Sequence, residues 1–373
     1  MPVARQPDHR QHRMSSLSCP ARLACLTHLA LAPTFVVLAL QDSRPVPSPQ
    51  GPPKASEKAS PHEDLRQEQD RRIPTGETGW VSGVFRPKRR FNEVLPSWNL
   101  DVAKGAGVQV ELQVGDAEGW SPWMHIGDWG VLPALERRTR CARGKVRIDI
   151  FEAKALLDRA RLRFRVYTGE STASKPGECT LRRLHLCFSN TLAPIRARPP
   201  SKLPDHAPLE VPLIRQGEAP KKISSLVCSP TSVTMVLRYH GKKAPLAETC
   251  AGIRDPHHGL YGVWNRAVQY AWTQGLPGYL TRIASWDRVL EHTAAGRPLV
   301  ISLAWKKGEL RNCAFPFSPG HLIVILGLTK DGKQVVCADP GADPHEKVRR
   351  LYYREDLDKA WIARGGYTYV LAH

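Results

Sequence analysis

Apolar residues recur at two different periods along this chain, and the change of period divides it. From Gly76 to Asn190 the period is two. Val108-Gln109-Val110-Glu111-Leu112-Gln113-Val114 alternates strictly, and Gly79–Phe85, Val146–Ile150, Leu162–Val166 and Leu181–Phe188 follow the same rule. Short alternating runs separated by turn residues predict an all-β antiparallel sandwich with one wet face per sheet. From Val211 onward the periods mix. Helical spacing predicts helices at about 230–240, 246–254, 263–274, 286–295 and 355–362. Strands are expected at 278–283, 298–304, 321–328, 334–339 and 367–372. Helices first and adjacent strands after them make an α+β unit with an antiparallel sheet.

Three segments fall outside these patterns. The first 41 residues carry Arg5, Arg10, Arg13 and Arg22, then an interrupted apolar run from Leu23 to Leu40 with small residues at Val37-Leu38-Ala39. This predicts a signal peptide over 1–41, with Met14 as an alternative start and a single membrane anchor as the runner-up. Residues 42–72 are rich in Pro, Ser, Glu, Lys and Gln and predict a disordered linker. Residues 191–208, proline-rich and basic, read as a second linker. The organisation expected is signal 1–41, linker 42–72, β-sandwich 73–190, linker 191–208 and an α+β domain 209–373. The protein is then exported to the periplasm, the cell surface or the medium.

Length and charge sharpen this modestly. A chain of 373 residues suits two domains. Its net charge of +19 is spread along the length, with neither zinc-finger spacing nor an arginine-aromatic patch, so nucleic acid is not an expected partner. A basic exported protein fits contact with acidic cell-surface polymers. Trp80, Trp98, Trp120, Trp123 and Trp129 are read as filling the inter-sheet core, with stacking on sugars as the alternative. Removing the signal leaves seven cysteines, an odd number that fits one free reactive thiol with up to three bridges and fits several buried free thiols equally well. No motif calls for a metal or cofactor, and the adjacent His257 and His258 read as a surface loop. Asp128 and Asp149 read as strand-edge residues, and His240 as a complement to a helix dipole.

The chemistry concentrates in the second half. Cys228-Ser229-Pro230-Thr231-Ser232 opens a helix, where unpaired N–H groups and the dipole favour a thiolate. His321 begins an apolar strand and Asp339 ends the next one. Thr329-Lys330-Asp331-Gly332-Lys333 predicts a hairpin with a three-residue loop and Gly332 left-handed. With Thr329 facing Lys333, Asp339 lies opposite Ile323 and His321 opposite Gly341, so both point to one face. That supplies a base and an orienting carboxylate for a thiol nucleophile. Gln216 is an upstream side-chain amide that could assist an oxyanion.

Gln216, Cys-Ser-Pro-Thr-Ser at a helix start, Gly-His-Leu-Ile-Val and Ala-Asp-Pro occur in that order. In this the chain resembles the papain-like cysteine peptidases of the bacteriocin-leader-processing, double-glycine type, in a stand-alone exported form, over residues 209–373. The resemblance implies a papain-like α+β fold, Cys228 as nucleophile, His321 as general base, Asp339 as its orienting group and Gln216 in the oxyanion hole. Ser229 stands where those peptidases usually carry glycine, and Gln216 lies farther from the cysteine than in them. The expected partner is a peptide or protein substrate, with a cell-surface polymer on the sandwich. The alternatives are a cell-wall peptide amidohydrolase of NlpC-like type and a catalytically silent glycan- or peptide-binding protein.

Overall fold

The computed structural model describes residues 60–168, 179–342 and 347–373. The signal peptide expected at 1–41 and the linker residues before 60 lie outside the described residues. Among those described, the N-terminal half holds β1 (His62–Ile73), β2 (Gly76–Val81), β3 (Phe91–Val102), β4 (Ala106–Asp116), β5 (Gly119–Trp120), β6 (Met124–Gly130), β7 (Arg140–Cys141), β8 (Gly144–Arg147), β9 (Ile150–Leu157), β10 (Arg159–Thr168) and β11 (Cys179–Ser189). All of these but β2 fall in two antiparallel sheets. One runs β1-β11-β3-β9-β8-β7, the other β10-β4-β5 with β6 also on β4. Val108, Val110 and Phe164 from one sheet meet Trp98, Phe151 and Leu184 from the other in a single apolar cluster. Burial of side chains of this size contributes roughly 1.5–3 kcal/mol each.

Three features depart from the sequence expectation. β1 occupies 62–73, where a disordered linker was expected. Its sequence is almost wholly polar, but its backbone pairs with β11 from His62↔Ser189 to Ile73↔Cys179, and Asp64 holds His185 at 3.0 Å. β3 escaped detection because Pro96 interrupts it. The pairing of β3 with β9 ends at Val94, so the missing N–H of Pro96 costs nothing on that side. The alternating run Val146–Ile150 is not one strand but the tip of the β8–β9 hairpin, with Ile148 and Asp149 as its two turn residues. Of the five tryptophans, only Trp98 is fully buried in this core. Trp120 and Trp123 lie under the guanidinium groups of Arg161 and Arg163 on β10.

The C-terminal half holds α1 (Cys228–Tyr239), α2 (Leu246–Ile253), α3 (Trp264–Thr273), β12 (Gly278–Arg282), α4 (Trp286–Ala294), β13 (Leu299–Trp305), β14 (Ser318–Leu328), β15 (Gln334–Ala338), β16 (Arg349–Tyr353), α5 (Arg354–Ala360) and β17 (Tyr367–Leu371). The antiparallel sheet runs β12-β17-β13-β14-β15-β16. Because side chains alternate, β14 feeds two cores. Leu322, Val324 and Leu326 pack with Val233 of α1 and Val268 of α3, while Ile323 and Ile325 pack with Trp286 of α4 and Leu357 of α5. Five helices and five strands match the elements expected; β16 was missed.

The two halves meet along a polar seam. Successive outward N–H groups of β12 are taken by the N-terminal sheet: Gly278 by Asn99 Oδ1 at 3.3 Å, Leu280 by Ser97 Oγ at 2.9 Å, and Arg282 by the Cys187 thiol. Gln269 of α3 bonds both the N–H and the carbonyl of Leu100, at 2.9 and 2.8 Å. Arg282 forms a buried ion pair with Glu93. Residues 191–208 are strapped down rather than slung free: Arg198 exchanges main-chain bonds with Ala284 and Trp286.

Candidate active site

Cys228 is the first residue of α1, two residues before the expected start, with Val227 as its N-cap. Pro230 and the side chain of Thr231, bonded to the Val227 carbonyl at 2.7 Å, fit the opening turn. α1 lies on β14, where Ser232 Oγ donates to the Leu322 carbonyl at 3.1 Å. That contact brings the start of the helix to the start of the strand. Cys228 is hydrogen-bonded to His321.

His321 Nε2 lies 2.7 Å from Asp339 Oδ1, which leaves Nδ1 for the sulfur. The imidazole is 3% exposed and the carboxylate fully buried. Asp339 is held on every side. Oδ1 also accepts the Gly341 N–H at 2.8 Å, and Oδ2 accepts the hydroxyl of Tyr352. Trp305 and Phe315 stand edge-on to the imidazole, with centroids at 6.0 and 5.3 Å. Tyr352, Trp305 and Phe315 were not picked out from sequence. Tyr352 sits on the missed strand β16, and the two aromatics give no signal beyond ordinary core residues.

The electrostatics follow from this geometry. Burial alone would raise the Cys228 thiol, but the bond and charge of His321, then N–H groups of Leu322 and Ser229, outweigh it and lower it. Burial opposes the imidazolium, yet the charge and hydrogen bond of Asp339, then Cys228, raise His321 to about 10. Asp339 is pulled below the ordinary carboxylate range against its burial, by His321 first and then Tyr352 and Gly341. A thiolate–imidazolium pair is the state this arrangement favours.

The hairpin register reaches the expected pairing by an unexpected route. Thr329 faces Gln334, not Lys333, so the loop holds one residue more than expected. Left uncorrected, that would turn His321 and Asp339 to opposite faces. A β-bulge between Ile325 and Gly327 restores the register, and the pairs Val324↔Ala338 and Ile325↔Cys337 stand as foreseen. Gly327 has φ +154, and the displaced Leu326 carbonyl takes the Leu209 N–H at 2.9 Å.

Gln216 opens a short helical turn and donates its main-chain N–H to the carbonyl of Pro340 at 2.8 Å. It lines a cleft of about 340 Å³ with Arg215, Ser224, Ser225, Pro340 and Gly341. The longer span between Gln216 and Cys228 is taken up by this turn and a second one at Ser224–Leu226. The side-chain Oε1 of Gln216 is buried and takes no hydrogen bond among the described residues. Ser229 bonds the hydroxyl of Tyr369 at 3.3 Å.

Other residues singled out from sequence fall elsewhere. His257 and His258 are exposed, and His258 bonds Asp255 at 2.5 Å; among the described residues no cluster of three ligands could hold a metal. Asp128 does lie on an edge strand, β6, which pairs with β4 alone, and it is buried between His125 and Arg137. Asp149 is buried too, against the start of α3. His240 caps α1, but burial first, then nearby positive groups, lower it to about 4, so it stays neutral and adds no charge to the dipole. All seven cysteines among the described residues are free.

Residues 208–369 match the Peptidase_C39 like family, and residues 53–189 match the Peptidase C39 N-terminal domain. Similar solved structures include a double glycine motif protease from an AMS/PCAT transporter in complex with its leader peptide. It is 20% identical, covering 46% of this chain and 98% of that one, with a TM-score of 0.30. A C39-like peptidase from Bacillus anthracis is 17% identical, covering 44% and 95%, with a TM-score of 0.34. The peptidase domain of Streptococcus ComA, a bifunctional ABC transporter of a quorum-sensing pathway, is 18% identical, covering 43% and 96%, with a TM-score of 0.31. No curated protein matches the chain.

Proposed function

We propose that the chain, whose residues 208–369 match the C39-like peptidase family, is an exported cysteine peptidase hydrolysing peptide bonds through Cys228, His321 and Asp339. The observation that carries this reading is the buried, continuously bonded line from the Cys228 thiol through His321 to Asp339. The two N-terminal sheets are read as a β-sandwich that holds the catalytic half in place and faces the cell surface.

The thiolate adds to the carbonyl carbon of the scissile amide. The Cys228 N–H, in the opening turn of α1, and the Gln216 amide on the cleft wall stabilise the oxyanion. Imidazolium His321 gives its proton to the leaving nitrogen as the C–N bond breaks, leaving a thioester on Cys228. Water, losing a proton to His321, then attacks the thioester, and the C–S bond breaks to release the acid and the thiolate. Asp339 keeps the imidazole oriented and its cation stable throughout.

Cys228→Ala should abolish cleavage of unfolded protein, and His321→Ala should lower it at least a thousandfold. The wild-type rate should rise as the Cys228 thiol deprotonates, below the usual range for a thiol. It should hold a plateau and fall as His321 loses its proton toward pH 10. Full cleavage by the Cys228→Ala protein would sink the proposal. Digestion of purified peptidoglycan but not of unfolded protein would move the substrate to the cell wall. N-terminal sequencing of protein recovered outside the cell checks export, which predicts a start after the segment 1–41.

A further inference from the structure

The β8–β9 hairpin of the N-terminal half enters the catalytic half at its tip. Ile148 there has φ +62, a left-handed conformation that a β-branched side chain tolerates poorly. Strain of this kind costs on the order of 1–3 kcal/mol and persists where surrounding contacts impose it. Those contacts are visible on both sides of the turn. Asp149 is buried, and its Oδ2 accepts the N–H of Trp264, the first residue of α3, at 2.5 Å. Ile150 is buried in the catalytic half's own core, in the cluster that Cys228 packs against. α3 therefore takes its N-terminal cap from a different part of the chain, while its own N-cap position holds Val263, which cannot serve.

The contacts continue toward the thiol. Trp264 packs on the ring of Tyr367, with centroids 4.6 Å apart. Two residues along β17, the hydroxyl of Tyr369 meets Ser229, the neighbour of Cys228. Ser229 replaces the glycine usual at this position in the resembling peptidases and supplies the hydroxyl that Tyr369 meets. Among the described residues, the charge of Asp149 bears on Tyr367 and Tyr369, both on β17; around Ile148 at the same hairpin tip stand Asp128, Asp255, His257, His258 and Arg266.

We propose that Asp149 is a positioning residue of the peptidase: carried in on the strained hairpin tip, its carboxyl fixes the start of α3 and, through Trp264–Tyr367 and Tyr369–Ser229, the turn that presents the Cys228 thiol. The N-terminal half is then a lasting part of the active-site scaffold and not a segment to be discarded. This rests on the reading of Cys228 and His321 as the reacting pair. Burial raises the Asp149 carboxyl to about 7, against the Trp264 N–H that favours its charge, so its ionisation falls in the working range.

The test uses the full chain and iodoacetamide, with alkylation of Cys228 followed peptide by peptide in a mass spectrometer across pH 5–9, beside cleavage of unfolded protein. Asp149→Ala should slow alkylation about fivefold and lower kcat about tenfold with KM within threefold. Asp149→Asn, which keeps an accepting oxygen, should stay within threefold of wild type. Wild type should show a step near pH 7 in the alkylation rate that Asp149→Asn lacks. A folded Asp149→Ala protein with wild-type alkylation and kcat overturns the proposal. If that variant does not fold, persistence of the step near pH 7 in Asp149→Asn overturns it. His321→Ala separates the two readings: if it leaves alkylation of Cys228 unchanged, the reacting pair itself is wrong, whatever Asp149 does.

Discussion

At the scale of single residues, the site is a problem of keeping three buried charges content: the Cys228 thiolate, the His321 imidazolium and the Asp339 carboxylate. Cys228, His321 and Asp339 could be picked out as candidates because Cys228 opens a helix, His321 starts the apolar run of its strand and Asp339 follows the end of the next. Tyr352 could not, because Arg349-Arg350-Leu351-Tyr352-Tyr353 has no alternation and its role arises only when β16 folds beside β15. Yet its hydroxyl is the only side-chain partner of Asp339 Oδ2 among the described residues. Removing it leaves a buried carboxylate oxygen unsatisfied, a loss of about 1–3 kcal/mol. Tyr352→Phe should therefore lower kcat about fivefold, and lower stability at neutral pH by about that amount in urea melts. The sign with pH is fixed. The folded Asp339 lies below its unfolded value, so the stability it contributes is present above about pH 4 and is lost on acidification. The gap between wild type and Tyr352→Phe should close as pH falls.

At the scale of elements, helices read out better than turns. The five helices of the catalytic half announced themselves by period and by stops such as Gly241. The two hairpins that matter most did not. Val146–Ile150 alternates as a strand should, and nothing in it betrays a turn whose geometry is set by a partner helix. The β14–β15 loop was one residue longer than its composition suggested, and the compensating bulge left its only trace in Gly327. A Cβ at Gly327 would come within 3.0 Å of Pro208 Cα, at a φ that side chains resist. Gly327→Ala should cost about 2–3 kcal/mol. It should also lower activity, because the bulge is what keeps His321 and Asp339 on one face. Wild-type activity and melting temperature in that variant would refute the role given to the bulge.

At the scale of the whole molecule, composition separated the β-rich half from the α+β half but hid how they join. Ser97, Asn99 and Gln269 look like surface residues in a sequence, whereas here they are fully buried and spend their polar groups on main chain across the seam. All described residues fall in one compact unit. Calorimetry should accordingly give one cooperative transition, and Gln269→Leu, which strands the N–H and carbonyl of Leu100, should lower its midpoint without splitting it. Two separate transitions in wild type would contradict this. The side chains of Asn99, Ser97 and Cys187 along β12 have one more consequence. β12 closes its sheet on one side, and those three groups are what stop its N–H row from recruiting a strand of another chain. Severed from the N-terminal sheets, residues 209–373 would carry an open sticky border, and their first failure would be self-association into aggregates.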